Sequence, residues 1–385
     1  LAKPSFIRES LKLTADTSII SFAGGNPDPN YFPWKEIESS AKIAISNDWR
    51  RALQYSITEG NIDLRCELQE LMSNIGVETC TDQLVITSGS QQGLDIVAKI
   101  FLDKGDQVII ESPTYMGALN AFKYYEPDFL EVETDSNGMR MDVLEDVLKA
   151  NRNAKLIYTI PDFQNPTGTV LSEKRRQKMV ELAQNYDIMI VEDNPYYFLR
   201  HEGQIIPPIK HFDKYERVIF LGSVSKILCP SLRVGWIVAN KDVISSVVYL
   251  KQAADLHTSE LSQRITANYM KNYNLSAHIS EMNRLYKEKK DLMLRKIKER
   301  FPSSIKYTTP EGGLFIWLDF PKEYDTMDIF NKVKQEQHVI FVPGDTFYPY
   351  GGHANTARFS FATVTLEEID RGMDCLASAL NKIIE

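Results

Sequence analysis

Six short apolar runs rich in β-branched residues recur through the middle of the chain: QLVITSGS, DQVIIESP, KLIYTIP, IMIVEDN, RVIFLGS and RVGWIVA. Apolar runs without polar alternation are typical of strands that are buried on both faces of a sheet. Amphipathic segments of helical length lie between several runs, among them SEKRRQKMVELAQNYD and GLDIVAKIFLDKG, the second with an expected end at Gly105. This alternation predicts an α/β fold with a mostly parallel sheet and helices on both faces.

The pattern changes after about residue 285, where a long charged helix precedes GGLFIWLDF, HVIFVPG, ARFSFA and a closing helix from Leu366. We interpret this part as a smaller α+β domain. A chain of 385 residues with 43% hydrophobic content is long enough for two domains. We therefore predict a large domain over 47–283, and a small domain made of 284–385 and of 1–46 with its N-terminal arm.

The composition argues against several classes of partner. The net charge is -8 and the basic residues are dispersed, whereas nucleic acids and anionic membranes attract clustered positive charge. The four cysteines are far apart and form no CxxC motif, so we expect neither a disulfide framework nor a metal site. Because no apolar run reaches about 18 residues and no signal-peptide pattern is present, we expect a soluble, cytoplasmic protein.

Polar residues follow five of the predicted strands. After QLVIT comes SGSQQG, after QVII comes ESPTY, after LIYTI comes PDFQNPTG, after IMIVE comes DNPYY, and after RVIFLG comes SVSK. Each has an ordinary structural explanation: SGSQQG as a capped helix start, NPTG as a turn, Asp193 as a cap and Tyr115 as packing. Ligands of open parallel sheets bind outside the carboxyl ends of the strands, so all five segments together predict one site at one edge.

The residue types at this edge suit one cofactor. Hydroxyls, helix-start amides and a guanidinium are donors for a phosphate, and they are available at Ser90, Gln91, Ser223, Ser225 and Arg233. Groups that suit a flat, hydrogen-bonding aromatic ring are available at Asp193, Asn165, Tyr115 and Tyr196. A lysine, Lys226, would suit a Schiff base with an aldehyde. Pyridoxal 5'-phosphate combines these three needs.

The chain also resembles a known family, the fold-type I pyridoxal-phosphate aminotransferases of class I/II. The motifs SFAGGNPDP, YSITEG, SGSQQGLD, ESPTY, FQNPTG, VEDNPYY, SVSK and RVGW occur in the family's order, from PSFIRE to RFSFA. The resemblance is strongest to the branch of 2-aminoadipate, kynurenine and aromatic aminotransferases. Ser231 and Asn194 depart from the family pattern, where glycine and aspartate are usual, but neither has a predicted role.

The resemblance implies a role for each ring-binding residue. Lys226 would form the Schiff base and move the proton at the substrate Cα. Asp193 would keep the pyridine nitrogen protonated, and Asn165 and Tyr196 would hydrogen-bond the ring oxygen. Tyr115 would stack on the ring, and the five donors given above would hold the phosphate.

The resemblance further implies how substrate and partner subunit contribute. Arg358, in ARFSFA, would clamp the substrate α-carboxylate, with Asn165 also in contact and Gly25 where backbone passes close to the substrate. Tyr55, in LQYSITEG, corresponds to a tyrosine that the family supplies from the neighbouring subunit. A homodimer with shared active sites is therefore expected.

Specificity is less constrained by the residues. Ser5 and Arg8, in SFIRE, match positions that recognise a distal acidic group in a few relatives, although Arg8 is equally well explained as a solvated surface arginine. Tyr31 and Phe32 could instead line a pocket for aromatic substrates. We predict a broad transaminase with ping-pong chemistry, pairing 2-oxoglutarate with 2-aminoadipate or aromatic amino acids.

Two alternative functions share this fold. One is the ligand-sensing part of a transcription regulator, although no helix-turn-helix precedes Ser5. The other is a pyridoxal-phosphate β-lyase, which Arg358 does not exclude.

Overall fold

The computed structural model describes residues 18–384, which form α-helices and three β-sheets. The helices are α1 (Trp34–Ala52), α2 (Ile62–Asn74), α3 (Ser90–Phe101), α4 (Met116–Phe122), α5 (Met141–Ala150), α6 (Glu173–Asn185), α7 (Lys241–Ala254), α8 (Glu260–Asn272), α9 (Leu275–Arg300), α10 (Thr326–Gln337) and α11 (Leu366–Ile383). The strands are β1 (Ile20–Ser21), β2 (Leu84–Thr87), β3 (Gln107–Ser112), β4 (Asp128–Asp135), β5 (Gly138–Met139), β6 (Leu156–Thr159), β7 (Met189–Asp193), β8 (Val218–Ser223), β9 (Gly235–Val238), β10 (Lys306–Tyr307), β11 (Phe315–Asp319), β12 (Val339–Ile340), β13 (Val342–Pro343) and β14 (Thr356–Ser360).

The large sheet contains eight strands in the order β2-β9-β8-β7-β6-β3-β4-β5. The five strands from β8 to β4 in this order pair in parallel. Strand β9 is antiparallel to both of its neighbours, and β5 is antiparallel to β4. All six apolar runs form strands of this sheet, so the predicted α/β fold with a mostly parallel sheet is confirmed.

Alternate residues of the central strands enter different hydrophobic clusters. Val108 and Ile110 of β3 belong to the larger cluster, whereas Ile109 belongs to a second cluster. In β6, Ile157 likewise belongs to the second cluster while its neighbour Leu156 belongs to the first. Since successive side chains of a strand point to opposite faces, both faces of the sheet are covered by apolar packing.

The end of α3 differs from the expectation at Gly105. The helix ends at Phe101, and Leu102 has an extended backbone, with φ -118° and ψ 127°. Leu102 is buried in the larger cluster, at 4% exposure. Packing of this leucine stops the helix before the glycine is reached.

A second sheet of four antiparallel strands has the order β10-β11-β14-β13. Strand β1 forms a separate parallel pair with β12, through Ile20 with Val339 and Ser21 with Ile340. The N-terminal end of the described chain is thereby attached to its C-terminal part.

The predicted boundaries at 46/47 and 283/284 lie within α1 and α9, and α1 is interrupted by a non-helical residue at Asp48. The division into two domains stays a prediction.

The closing helix α11 begins at Leu366, as the sequence predicts. Thr365 Oγ1 accepts from Glu368 N at 3.1 Å, and Glu368 Oε2 accepts from Thr365 N at 2.8 Å, which forms a capping box. Apolar residues at helical spacing are buried on one face: Ile369, Met373, Leu376 and Leu380. Cap and amphipathic spacing together explain the helix.

None of the helices within residues 18–384 has the length and apolar character that a membrane span requires.

A buried ion pair fixes the loop after β1 to helix α9. Lys289 Nζ lies 2.6 Å from Asp28 Oδ2 and donates to Ala362 O at 2.9 Å. Asp28 N donates to Tyr286 Oη at 2.9 Å, and the Lys289 ammonium lies 4.8 Å from the ring centroid of Tyr31. Both charged side chains are 5% exposed, so each depends on the other for compensation.

We expect Lys289→Met to destabilise the protein by about 3–5 kcal/mol, because it leaves the Asp28 carboxylate buried without its cation. Lys287→Met, two residues away on α9, removes a lysine that is 39% exposed and should cost less than about 1 kcal/mol. The measurement is the apparent free energy of unfolding in urea. The double variant Lys289→Met/Asp28→Leu should recover most of the loss; equal destabilisation by Lys289→Met and Lys287→Met would contradict the prediction.

Candidate functional site

The loop between β2 and α3 forms an anion-binding arrangement. Gly89 has φ +82°, and a Cβ added there would lie 2.5 Å from Arg233 Nη2. Arg233 Nη2 donates to Ser88 O at 3.0 Å. Gly235 of β9 also matters, because a Cβ there would lie 2.8 Å from Ser90 N. The two glycines thus allow the Arg233 guanidinium and the N-terminus of α3 to come close together. The guanidinium and the helix N-terminus each favour a bound anion.

The SVSK segment turns sharply after β8. Ser223 Oγ accepts from Ser225 N at 3.1 Å and lies 2.9 Å from Ser225 Oγ, which caps a short 3-10 turn over Val224–Lys226. Lys226 Nζ donates to Gly25 O at 2.8 Å and lies 5.9 Å from the ring centroid of Tyr196. The turn brings the two serines and the lysine to one edge of the sheet.

The Lys226 amine has an unusual environment for a lysine. Burial, together with the positive charges of Arg358 and Arg233, lowers its pKa from 10.5 to about 8. A lysine with this pKa is a free amine in a larger fraction of molecules at neutral pH than an exposed lysine is. The free amine is the nucleophilic form.

Asp193, the last residue of β7, is buried with only half of its carboxylate satisfied. Its Oδ2 accepts from Tyr158 Oη at 3.0 Å, and its Oδ1 has no hydrogen-bond partner within residues 18–384. Burial raises the pKa of Asp193 to about 7, and the Tyr158 hydrogen bond opposes the rise. Burial and then the charge of Asp193 raise the pKa of Tyr115 to about 12. The free oxygen can accept from a ring N–H, which would also favour the ionised carboxylate.

Tyr158 is a site residue that the sequence analysis missed. In the pairing of β6 with β7, Tyr158 lies opposite Val191. Asp193 follows Val191 by two residues and therefore points to the same face of the sheet. The register between β6 and β7 is what places Tyr158 beside Asp193, and this register is known only once the two strands are paired.

A buried network supports the loop that contains Asn165. Glu111 accepts from Thr159 Oγ1 at 2.9 Å, from Ile160 N at 3.1 Å and from Gln164 Nε2 at 3.3 Å. Burial raises the pKa of Glu111 to about 7, and these hydrogen bonds oppose the rise. Gln164 is thereby held beside β3, which fixes the position of the adjacent Asn165.

Arg358, in β14, is a fully buried cation at 1% exposure. Its Nη1 donates to Asn165 Oδ1 at 2.9 Å and its Nη2 donates to Ala23 O at 2.7 Å, while Nε has no partner within the described residues. The guanidinium lies 4.3 Å from the ring centroid of Phe315. Burial lowers the pKa of Arg358 to about 10. Such a preorganised fork suits a carboxylate.

A cavity of about 210 Å³ joins these elements. Nine predicted site residues line it: Ser90, Gln91, Tyr115, Asp193, Tyr196, Ser223, Ser225, Lys226 and Arg233. Four lining residues were not predicted: Asn26, Ile160, Pro195 and Pro230. Asn165, Arg358 and Gly25 are outside the lining, but Gly25 bonds Lys226 and Asn165 bonds Arg358. A larger cavity of about 590 Å³ elsewhere contains none of the predicted site residues.

Other predicted residues lie away from the cavity. Tyr55 is 78% exposed, and its ring contacts His257 at a centroid distance of 5.8 Å. Tyr31 packs against Lys289 rather than lining the cavity. Ser5 and Arg8 lie outside the described residues.

The donor set fits pyridoxal phosphate. The unsatisfied Asp193 oxygen suits a pyridinium N–H, and the Gly89 loop beside Arg233 offers a cradle that a Cβ would fill. The amine of Lys226 lies at the same cavity. Each of these features is costly for an empty fold and is explained by a planar, phosphorylated ligand.

Comparison with known proteins agrees with this assignment. The family model "Aminotransferase class I and II" matches residues 19–376. An aromatic-amino-acid aminotransferase of Thermococcus litoralis is 41% identical over 385 residues, covering 99% of this chain and 92% of the relative.

Two solved structures are also similar. The kynurenine aminotransferase of Pyrococcus horikoshii, in complex with PMP, has a TM-score of 0.96 at 38% identity, covering 100% of this chain and 96% of that one. The α-aminoadipate aminotransferase of Thermus thermophilus, complexed with N-(5'-phosphopyridoxyl)-L-leucine, has a TM-score of 0.92 at 38% identity, covering 99% and 96%.

We expect Asp193→Asn to stabilise the cofactor-free protein more at pH 8 than at pH 5. The folded-state pKa of Asp193 is about 7, against an ordinary value of 3.8. The stability that this carboxyl contributes is therefore complete below pH 3.8 and is lost as the pH rises through about 7. Asparagine does not titrate, so the variant escapes this loss.

The measurement is the difference in unfolding temperature between variant and wild type at the two pH values. Asp103→Asn, at an exposed aspartate, is the matched control and should give the same difference at both. A difference for Asp193→Asn that is constant or falls with pH would contradict the prediction.

Proposed function

The chain belongs to the class I and II aminotransferases, and from this premise we propose that it moves an amino group between 2-oxoglutarate and 2-aminoadipate or an aromatic amino acid. It is an aminotransferase, and its cofactor is pyridoxal 5'-phosphate. One observation carries the proposed mechanism: Lys226, the half-satisfied Asp193 and Arg233 line one cavity.

Pyridoxal phosphate supplies an aldehyde carbon and an electron-accepting ring when it is bound. In our proposal Lys226 is the residue that joins the cofactor covalently. Its amine, released when the substrate amino group takes its place, would then move the proton from the substrate Cα to the cofactor, and it would reverse this transfer in the other half of the ping-pong cycle. A lysine pKa of about 8 supports this role, because a general base works best when its pKa is near the working pH.

Four residues would hold the cofactor ring. Asp193 Oδ1 would accept from the protonated ring nitrogen, with the Tyr158 hydrogen bond keeping the carboxylate oriented. Asn165 and Tyr196 would hydrogen-bond the ring oxygen, and Tyr115 would stack on the ring. The ring would thus be kept in its electron-accepting state by a buried carboxylate.

The phosphate group would be held at the start of α3. The proposed donors are the hydroxyls and amides of four residues and one guanidinium: Ser90, Gln91, Ser223, Ser225 and Arg233. The positive φ of Gly89 and the closeness of Gly89 to the Arg233 side chain support this assignment.

Arg358 would bind the α-carboxylate of the substrate, beside Asn165 and the Gly25 backbone. Its buried fork and unpaired Nε support this role, because a carboxylate can accept two parallel hydrogen bonds from it. The aromatic, kynurenine and α-aminoadipate activities named for similar proteins support the proposed substrate classes. Arg8 is proposed to recognise the distal acidic group.

A homodimer with shared sites is part of the proposal. Tyr55 would reach the cofactor of the neighbouring subunit, and its 78% exposure within one chain supports this. Three large apolar side chains close to it in the sequence are also exposed, namely Trp49, Leu53 and Ile57. Their exposure supports an interaction surface on this part of the chain. The proposal also includes a large domain over 47–283, a small domain made of 1–46 and 284–385, and a cytoplasmic location.

We expect purified holoenzyme to convert 2-aminoadipate, glutamate and aromatic amino acids to their oxo acids in a stoichiometric half-reaction. The amino group should remain on the cofactor, and adding 2-oxoglutarate should restore the starting absorbance. The measurement combines the cofactor spectrum with mass spectrometry of the products.

Lys226→Ala should still bind cofactor, but reversibly, and should lose turnover. Lys214→Ala, at an exposed lysine, is the matched control and should retain both properties. Ammonia released without consumption of 2-oxoglutarate would indicate a β-lyase. No conversion of any of these amino acids would refute the proposed substrates.

We expect two inactive variants, Lys226→Ala and Tyr55→Ala, to regain activity when their subunits are mixed and re-assembled. A hybrid dimer then has one site with an intact lysine and an intact tyrosine from its partner. Equal mixing should restore about a quarter of the wild-type sites. Steady-state activity before and after mixing is the measurement, and mixing each variant with itself is the control. No recovery, although hybrids are detected by native mass spectrometry, would contradict the shared site.

A further inference from the structure

We propose that Lys251 is a positioning residue for the phosphate-binding loop, acting through Asp255, Gln92 and Ser88. The inference rests on the proposed function in one respect, the assignment of the Ser88–Ser90 region to the cofactor phosphate. Lys251 is in α7 and does not line the cavity. Its role would therefore be to hold the loop and to balance a charge beside it.

The Lys251 side chain is fully buried and its Nζ has four polar contacts. It donates to Gln92 Oε1 at 2.8 Å, to Asp255 Oδ1 and Oδ2 at 2.9 and 3.0 Å, and to Thr258 Oγ1 at 3.1 Å. A lysine has three N–H donors, so this ammonium is fully satisfied. The cost of burying it is offset only while these partners remain.

The same partners hold Ser88 from several sides. Ser88 N donates to Gln92 Oε1 at 2.8 Å, and Ser88 Oγ donates to Asp255 Oδ2 at 3.1 Å. Ser88 Oγ also lies 3.1 Å from Thr258 Oγ1. Gln92 Nε2 donates to Asp255 Oδ2 at 2.8 Å, which closes the network.

Ser88 transmits this network to the cradle. Its carbonyl oxygen accepts from Arg233 Nη2, and the next residue is Gly89 with its positive φ. The loop is therefore tied to α7 on one side and to the guanidinium on the other. Movement of Ser88 would displace both the start of α3 and Arg233.

Charge gives Lys251 its second effect. Burial opposes the ionisation of Asp255, but hydrogen bonds from Lys251 and Gln92 outweigh it and hold the pKa of Asp255 below its usual range. The Asp255 carboxylate accepts a hydrogen bond from Ser88 and therefore lies next to the loop that is proposed to bind the phosphate. Without the Lys251 cation this negative charge would be uncompensated and would repel the phosphate.

The test compares two probes, pyridoxal phosphate and pyridoxal, which differ by the phosphate alone. Apparent dissociation constants are measured by absorbance titration of cofactor-free protein. We expect Lys251→Met to raise the apparent dissociation constant of pyridoxal phosphate by about tenfold or more, and that of pyridoxal by less than about threefold. Lys241→Met, at an exposed lysine of the same helix, is the control and should change neither constant.

The double variant Lys251→Met/Asp255→Asn removes the uncompensated carboxylate. It should recover pyridoxal phosphate binding to within about threefold of wild type. Should Lys251→Met fail to fold, Ser88→Ala removes only the two side-chain contacts of Ser88. It should give the same preferential loss, of about threefold or more.

Equal weakening of both probes, or no recovery in the double variant, would overturn the inference and leave the proposed function intact. Wild-type protein that binds pyridoxal phosphate no better than pyridoxal would overturn the proposed phosphate site, and this inference with it.

Discussion

The hydrogen bond from Lys226 Nζ to Gly25 O joins two segments that are 201 residues apart. The site is assembled where these two segments meet. Arg358 Nη2 reaches Ala23 O in the same loop, so two basic side chains, one from the turn after β8 and one from β14, converge on one stretch of backbone. The buried pair of Asp28 and Lys289 holds that stretch against α9. Sheet, loop and long helix therefore locate the reactive amine together.

Burial moves the two key ionisable groups toward the same pH range. It raises the pKa of Asp193 to about 7 and lowers that of Lys226 to about 8, from 3.8 and 10.5. Both shifts express a desolvation cost that the rigid sheet must support. In return, Lys226 can change charge near neutral pH, as a general base requires, whereas a ring N–H beside Asp193 would favour its ionised form.

Much of the fold and of the cofactor site could be predicted from local sequence. The apolar runs predicted the strands because double-sided burial leaves little alternation, and the polar segments after them contain eight of the nine predicted residues that line the cavity, with Arg233 as the ninth. Three features could not be predicted locally. Tyr158 depends on strand register, the early end of α3 depends on packing of Leu102, and the place of Tyr31 depends on Lys289.

The sequence by itself determined which residues end the buried strands, because hydrophobic patterning and turn chemistry are local properties. It therefore located Ser223, Ser225 and Lys226 within one short segment. Only the tertiary structure decided which distant groups meet them: the Gly25 carbonyl, Tyr158 beneath Asp193, and Lys251 behind Ser88. Those meetings depend on how strands pair and helices pack, and no local pattern encodes the resulting distances.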